Sequence, residues 1–162
     1  MIHSVFIGIG SNVGDRDKHI RDAVRLLSEN FTFVRMSSIY ETAAMYNTEQ
    51  PAFLNAVLSV RTKLLPLDVL NILLDVERKL GRVRTVKNAP RTIDLDILLY
   101  DDLVVDLPEL KIPHPLMCER RFVLEPLAEI APGIVHPIVN ASILTLCKSL
   151  KEQPIILYNR SL

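Results

Sequence analysis

The segment at residues 88–99 constrains the fold of this chain more than any other part of the sequence. It places a basic, proline-containing stretch directly before a hydrophobic run that carries Asp94 and Asp96. Side chains two residues apart on an extended strand point to the same face, so these carboxylates should lie side by side. The opposite face should carry Leu95, Ile97 and Leu99. The segment therefore predicts a central strand with one apolar face and one acidic face.

The acidic pair needs a neutralising partner. Aspartate is disfavoured in strands, and like charges on one face of a sheet repel each other. Mg²⁺ commonly binds one or two carboxylates together with water and phosphate oxygens. Arg82, Arg84 and Arg91 lie close by in the sequence, and arginine makes bidentate contacts with phosphate. This combination indicates metal-assisted phosphate chemistry. The alternative is a pair of solvent-facing carboxylates beside a solvated basic loop.

Length and composition limit the class of protein. The chain has 162 residues, 49% of them hydrophobic and 23% charged, which predicts one globular domain over residues 1–162. The net charge of zero argues against nucleic acid and anionic membranes as partners. Cys118 and Cys147 stand in no metal-ligand spacing, so we expect reduced thiols and no zinc. Without a signal peptide or an apolar run of about 18 residues, we expect a cytoplasmic protein.

Two long helices are predicted from apolar residues at helical spacing. Asp15 is a suitable N-cap for the first helix. The second spans residues 66–80, with Pro66 at its start, Gly81 as its stop and Glu77 at the border of its apolar stripe. The stripes consist of Ile20, Ala23, Val24 and Leu27 in the first helix, and Val69, Leu73, Val76 and Leu80 in the second. Each helix should therefore bury one face against a sheet.

The order of the elements predicts the fold class. Strands are expected at residues 4–9, 32–40, 53–61 and 94–100. With the two helices they give the order βαββαβ, which is typical of an α+β, ferredoxin-like core. We expect a mostly antiparallel sheet with both helices on one face, and a C-terminal helical extension with helices near residues 121–131 and 142–150. The other face of the sheet is left for these elements or for ligands.

Phe53 and Asn55 should share one face of their strand. Asparagine is unfavourable in strands, so its amide needs a partner. One possibility is a side-chain bond to a neighbouring loop. The other is recognition of a flat heterocycle, since asparagine can donate and accept hydrogen bonds while phenylalanine stacks on a ring.

Two further motifs each allow two interpretations. The glycine-rich stretch at residues 8–14 has the spacing G-x-G-x-x-x-G, which is neither a dinucleotide fingerprint nor a P-loop. We interpret it mainly as a tight strand-to-helix turn. His114 stands between two prolines and shortly before Arg120 and Arg121. It is either a structural histidine or part of a phosphate contact.

Together these segments resemble the 6-hydroxymethyl-7,8-dihydropterin pyrophosphokinases of folate biosynthesis. The resemblance covers nearly the whole chain and rests on residues 9–12, 37–42, 50–55, 81–84, 89–96, 112–115 and 120–122, and on Glu77. It is strongest in the segment Pro-Arg-Thr-Ile-Asp-Leu-Asp, which ends at Asp96.

This resemblance implies transfer of pyrophosphate from ATP to the hydroxymethyl group of the pterin, with release of AMP. It implies that Asp94 and Asp96 hold two Mg²⁺ ions, and it implies catalytic roles for these aspartates and for Arg82 and Arg91. We also expect a monomer. The implied ATP-binding residues are Glu77, Arg84, Arg91, Ile97, His114 and Arg120. The implied pterin-binding residues are Thr42, Ala43, Met45, Phe53, Asn55 and Phe122.

Two other classes of function are possible from the residues alone. Many ferredoxin-like domains bind small molecules or proteins without catalysis, in which case the acidic pair is a regulatory metal site. A metal-dependent kinase of another type is the second, although no known phosphate-loop motif supports it. Release of AMP, of ADP or of neither would distinguish the three.

Overall fold

The computed structural model describes residues 1–43, 49–82 and 92–159. The elements in the described part are β1 (His3–Ser11), α1 (Arg16–Ser28), β2 (Thr32–Met36), β3 (Ile39–Thr42), β4 (Phe53–Thr62), α2 (Pro66–Lys79), β5 (Asp94–Tyr100), β6 (Val105–Asp106), β7 (Lys111–Ile112), a 3-10 turn (Met117–Glu119), α3 (Arg121–Ile130), α4 (Ile143–Ser149) and β8 (Ile156–Asn159). None of the helices among these residues is long and apolar enough to span a membrane.

The ends of the two long helices follow from local chemistry. The Asp15 side chain accepts a hydrogen bond from the Lys18 backbone N–H at 3.2 Å, which confirms the predicted N-cap of α1. Pro66 is the first residue of α2, where its missing N–H costs nothing. Gly81 follows this helix with φ of +86°, a conformation that glycine adopts without strain.

The main sheet has six strands in the order β5-β1-β4-β3-β8, and β2 also pairs with β4. Each of these pairs is antiparallel, and β1 lies between β4 and β5. This is the predicted ferredoxin-like arrangement, and the predicted fold class is confirmed. β6 and β7 form a separate two-stranded sheet, and Ile112 of β7 is buried in the core beneath the main sheet.

The single strand expected at residues 32–40 is instead two strands, β2 and β3. The break falls at Ser37 and Ser38, which take hydrogen bonds outside a regular ladder. The Ser37 hydroxyl accepts the Val57 N–H at 2.8 Å, and the Ser38 N–H donates to the Glu129 carboxylate at 3.0 Å. Because Glu129 lies on α3, far away in the sequence, a local pattern could not predict this break.

The first face of the sheet is covered by α1 and α2, as expected. A continuous apolar core fills this layer, which we call the first core. Its members from the sheet include Val5, Ile7, Ile9, Leu54, Ala56, Leu58, Val60, Leu95 and Ile97, and those from the helices include Ile20, Ala23, Leu27, Val69, Leu73 and Val76. The alternating apolar residues of the strands thus meet the apolar stripes of both helices, and their burial stabilises this side of the sheet.

The second face is covered over part of its area by α3 and α4. This second core contains Phe6, Val57, Leu98, Leu99, Met117, Val123, Leu124, Leu127, Ile130 and Ile143. The expectation that Leu99 points to the first face was wrong. The register between β1 and β5 shifts between Phe6 and Ile7, which pair with Leu99 and Ile97. This β-bulge leaves Leu98 unpaired and turns Leu99 toward the second face.

Candidate active site

A pocket opens on the second face of the sheet, beside the layer formed by α3 and α4. Its walls come from β1, β5, the end of β3, the start of β4 and the start of α3. Eight of the residues assigned above to ATP, metal or pterin line it: Thr42, Ala43, Phe53, Asn55, Asp94, Asp96, Arg120 and Phe122. The fold therefore brings together side chains that lie up to 80 positions apart, from Thr42 to Phe122.

Gly8 and Gly10 form the floor of this pocket. Gly8 lies between Val57 on β4 and Asp96 on β5, and Gly10 lies between Asn55 and Asp94. Gly8 lies in β1 as the predicted strand at residues 4–9 implies, but the interpretation of Gly10 as part of a turn was wrong, because β1 extends to Ser11. Sequence reasoning missed their role, and their spacing of two was the available signal, since it puts both on one strand face.

A buried arginine connects the acidic pair to α2. Arg82 Nη1 lies 2.7 Å from Asp94 Oδ1 and 2.7 Å from Glu77 Oε2. Glu77 Oε2 also accepts the Leu95 N–H at 2.8 Å. Only 2% of the Glu77 side chain is exposed. This placement argues against the expected contact of Glu77 with ATP, because the carboxylate is enclosed and holds Arg82 against Asp94.

Asp96 is the more open member of the acidic pair, with 39% of its side chain exposed. Its partial burial at the pocket wall, together with the charges of Asp94 and Glu77, raises the pKa of Asp96 to about 7, although Arg120 and Arg82 act in the opposite direction. The unfavourable placement of a second anion here is what a bound cation would relieve. Among the described residues, no group of three or more His, Cys, Asp and Glu side chains could hold a metal. A pair of hard oxygen donors completed by substrate oxygens fits Mg²⁺.

His114 lies beside Asp96, with Nε2 3.9 Å from Asp96 Oδ2. Burial and the positive charge of Arg120 lower the pKa of His114 to about 4, so the ring is neutral near pH 7. Its Nδ1 accepts the Leu116 N–H at 3.2 Å. The proton of the neutral ring is therefore on Nε2, which faces the acidic pair and can donate a hydrogen bond there.

The opposite end of the pocket is suited to a flat polar ring. The Asn55 Nδ2 donates to Thr42 Oγ1 at 3.1 Å, so the partner of this amide lies on β3. Phe53 and Phe122 supply two aromatic side chains, and the Arg120 guanidinium lies 5.4 Å from the centre of the Phe122 ring. Aromatic faces and an oriented amide can stack on a heterocycle and bind its edge.

The comparisons with known proteins agree with this geometry. The family model 7,8-dihydro-6-hydroxymethylpterin-pyrophosphokinase matches residues 6–132. The chain belongs to this family. We refer to it below as the pyrophosphokinase family.

Relatives within the pyrophosphokinase family differ in length. The Bacillus subtilis protein named 2-amino-4-hydroxy-6-hydroxymethyldihydropteridine pyrophosphokinase is 44% identical over 87% of this chain and 86% of its own length. The Schizosaccharomyces pombe folic acid synthesis protein fol1 is 38% identical over 95% of this chain. This chain spans only 21% of the length of that relative. A solved Plasmodium falciparum HPPK-DHPS structure superposes with a TM-score of 0.74, 17% identity and coverage of 91% of this chain and 42% of that one, which supports the fold.

Asn12 and Arg16, which lie outside the expected site, make hydrogen bonds to the residues just before β4, and Arg16 also binds Glu41 of β3. The Asn12 side chain donates to Gln50 Oε1 at 2.9 Å and to the Pro51 carbonyl at 3.2 Å. The Arg16 guanidinium donates to Glu41 at 2.7 Å and to the Ala52 carbonyl at 2.9 Å. Sequence reasoning assigned no role to either residue, since their partners lie more than 20 positions away.

The remaining expected residues have different outcomes. Ile97 is buried in the first core, on the side of the sheet away from Asp96, and its side chain does not line the pocket. The alternation along β5 is the physical reason, since Ile97 and Asp96 are neighbours on a strand. Met45, Arg84 and Arg91 lie outside the described residues.

Proposed function

We propose that this chain transfers pyrophosphate from ATP to the hydroxymethyl group of 6-hydroxymethyl-7,8-dihydropterin, with release of AMP, in folate biosynthesis. One observation carries the proposal: a single pocket contains both the acidic pair of β5 and the aromatic and amide side chains of β4. Phosphate chemistry and recognition of a flat ring can therefore occur side by side. The name of the Bacillus subtilis relative supports the same reaction.

The pterin would occupy the end of the pocket next to β3 and β4. Phe53 and Phe122 would stack on its two faces, while Asn55 and Thr42 bind its polar edge. The hydrogen bond between Asn55 and Thr42 supports this role, because it orients the amide before the substrate arrives. Ala43 and Met45 would contribute further contacts at the rim.

The ATP triphosphate would extend toward β5 and α3. Asp94 and Asp96 would hold two Mg²⁺ ions, which supply charge neutralisation and polarise the phosphate oxygens when they are bound. Arg120 lines this end of the pocket and Arg82 is bound to Asp94 beside it, and Arg84 and Arg91 would add to them. Guanidinium groups suit the oxygens of the triphosphate because they offer two parallel N–H donors.

The reaction needs positioning more than covalent chemistry. The hydroxymethyl oxygen attacks the β-phosphorus, the bond from this phosphorus to the oxygen of the α-phosphate breaks, and AMP leaves with the electron pair. The hydroxyl proton is released, because the product is a phosphate ester. Arg82 and Arg120 would offset charge on the transferred group, and the His114 Nε2–H could donate to a phosphate oxygen.

A single assay tests the proposal against its two alternatives. The protein is mixed with ATP, Mg²⁺ and 6-hydroxymethyl-7,8-dihydropterin, and nucleotides are separated by chromatography. We expect AMP that depends on both the pterin and Mg²⁺. ADP would indicate a kinase of another type, and ATP that remains unchanged would indicate a binding module.

We further propose that residues 1–162 act as one pyrophosphokinase domain and as a monomer. The match of the family model to residues 6–132 supports the single domain. Light scattering during size-exclusion chromatography should give a mass near 18.3 kDa for this sequence. A mass twice as large would overturn the monomer.

A further inference from the structure

Gly10 lies directly against the amide that is proposed to bind the pterin. A Cβ atom at this position would lie 3.0 Å from Asn55 Oδ1 and 3.5 Å from Phe53 Cδ1. Both neighbours line the pocket. The space that a side chain would need at position 10 is thus occupied by the two residues proposed to bind and stack on the ring.

Backbone freedom does not account for a glycine at this position. Among the described glycines, only Gly14 and Gly81 have a positive φ, whereas Gly10 is in the interior of β1. Glycine in a strand interior weakens the strand, because it gains no packing and loses more conformational entropy than alanine does. Backbone entropy and strand propensity alone would therefore favour alanine at position 10, and the lack of space above Gly10 explains the glycine.

Asn55 cannot easily move aside for a methyl group. Its side chain is buried, with 7% of the residue exposed, and its Nδ2 is held by Thr42 Oγ1 at 3.1 Å. The two ends of the amide thus face opposite neighbours, Thr42 on β3 and Gly10 on β1. A shift away from a new Cβ atom would have to lengthen or break the bond to Thr42.

We infer that Gly10 is a positioning residue for pterin recognition, which sets the orientation of the Asn55 amide because its missing side chain leaves the space above β1 to Asn55 and Phe53. The inference rests on the proposed function and deepens it. Hydrogen bonds weaken steeply when distance or angle departs from the ideal, so a displacement of a few tenths of an ångström at Asn55 reduces affinity for the ring edge. The three atoms nearest to an added Cβ at position 10 belong to Asn55, Phe53 and Leu54, so we expect the triphosphate end of the pocket, at Asp96 and Arg120, to be unaffected.

The test measures binding of the pterin to wild type and to Gly10→Ala by calorimetry, in the presence of Mg²⁺ and a non-hydrolysable ATP analogue. We expect the Kd of the pterin to rise at least tenfold, while the Kd of the nucleotide analogue alone changes less than twofold. Gly133→Ala is the matched control, because a Cβ atom at position 133 would meet no described residue beyond its chain neighbours within 4 Å, and Gly133 lies outside the pocket. It should bind both ligands like wild type.

A double-mutant cycle separates positioning from a direct clash with the substrate. In an Asn55→Ala background the added methyl group has no amide to displace, so Gly10→Ala should change the pterin Kd less than twofold. Additive losses would overturn the inference, as would wild-type binding by Gly10→Ala. If Gly10→Ala unfolds, the double variant should fold again. Failure of both to fold would also overturn the inference.

The wild-type protein by itself tests the proposed function, independently of the Gly10→Ala variant. Wild type that neither binds the pterin nor releases AMP would refute the proposed function, and with it the premise of the inference. Wild type that does both, with an unchanged Gly10→Ala variant, would refute only the role of Gly10.

Discussion

The two faces of the central sheet use the same strands for different purposes. On β4, Leu54 is fully buried in the first core, whereas its neighbour Asn55 reaches into the pocket on the second face. On β5, Leu95 packs beneath α1 and α2 while Asp94 and Asp96 line the pocket. The face beneath α1 and α2 is an apolar layer that these helices cover. The second face is covered only in part by α3 and α4, and its uncovered part carries the charged side chains of the pocket.

Along each strand, the side chains that stabilise the fold therefore alternate with the side chains that line the pocket. Successive side chains point to opposite faces, so neighbouring substitutions should have unlike consequences. A change on the first face should lower the free energy of unfolding. A change on the uncovered part of the second face should alter binding or turnover.

The largest effect is expected for Asp96→Asn. Turnover should fall by about 10³-fold, because the change removes a charged oxygen donor from the proposed metal site. The melting temperature should not fall, since the repulsion between Asp94 and Asp96 is relieved. AMP release and calorimetry measure the two outcomes.

Asp106→Asn is the control for this change, because Asp106 is exposed, pairs with Lys111 and lies outside the pocket. It should retain wild-type turnover. Near-normal turnover of Asp96→Asn itself would contradict the metal assignment.

The next effect tests the first face, which α1 and α2 cover. Leu54→Ala should lower the free energy of unfolding by about 2–5 kcal/mol, because it leaves a cavity in the first core. The KM for the pterin, measured well below the melting temperature, should stay within twofold of wild type. Urea denaturation and steady-state kinetics provide both values. A raised KM for the pterin with an unchanged free energy of unfolding would contradict the assignment of stability to the first face and binding to the second.

Glu77 on α2 connects the covered face of the sheet to the pocket, because it binds Arg82, which in turn binds Asp94. The substitution Glu77→Gln tests that connection. Loss of the carboxylate weakens charge-assisted bonds to Arg82 and to the Leu95 N–H, so the free energy of unfolding should fall by about 1–3 kcal/mol. Asp75→Asn is a matched control on the same helix, since Asp75 pairs on the surface with Arg78 and Lys79. Asp75→Asn should change the free energy of unfolding by no more than about 0.5 kcal/mol. Equal changes in the free energy of unfolding for the two substitutions would show that the buried contacts of Glu77 contribute nothing to stability.

The smallest effect concerns pH in the absence of metal. Because the pKa of Asp96 is raised from 3.8 to about 7, the folded protein holds a proton that the unfolded chain releases. The folded state therefore loses stability, relative to Asp96→Asn, as the pH rises from about 4 to about 7. Solvent contact at this side chain reduces the size of the change.

Urea denaturation of both proteins in the presence of a chelator measures this difference across the pH range. The lowered pKa of His114 acts in the opposite sense, with stability lost as the pH falls below 6.5 toward about 4. It is present in both proteins and largely cancels in the comparison. A difference that does not vary with pH would contradict the raised pKa of Asp96.

Much of the fold was predictable because its signals are local. The bounds of β5, the N-cap at Asp15 and the stop at Gly81 each depend on neighbouring residues, and the structure confirms them. The shared face of Asp94 and Asp96, and that of Phe53 and Asn55, follow from the two-residue period of a strand.

Other features depend on residues far away in the chain. Leu99 changes face because of a bulge against β1, and the strand at residues 32–40 is broken in part by a bond to Glu129. Gly8 and Gly10 form a pocket floor only because β4 and β5 pair on both sides of β1. No local pattern in the sequence contains these contacts.

The amino-acid order alone thus specifies which segments become strands and helices and which residues share a face, because backbone geometry imposes those periods on adjacent residues. Register, burial and the meeting of Glu77, Arg82 and Asp94 arise only when distant segments pack. Their energies depend on contacts and desolvation in three dimensions. For that reason Glu77 is an enclosed support for Arg82 in the folded protein, although by sequence it resembled a nucleotide contact.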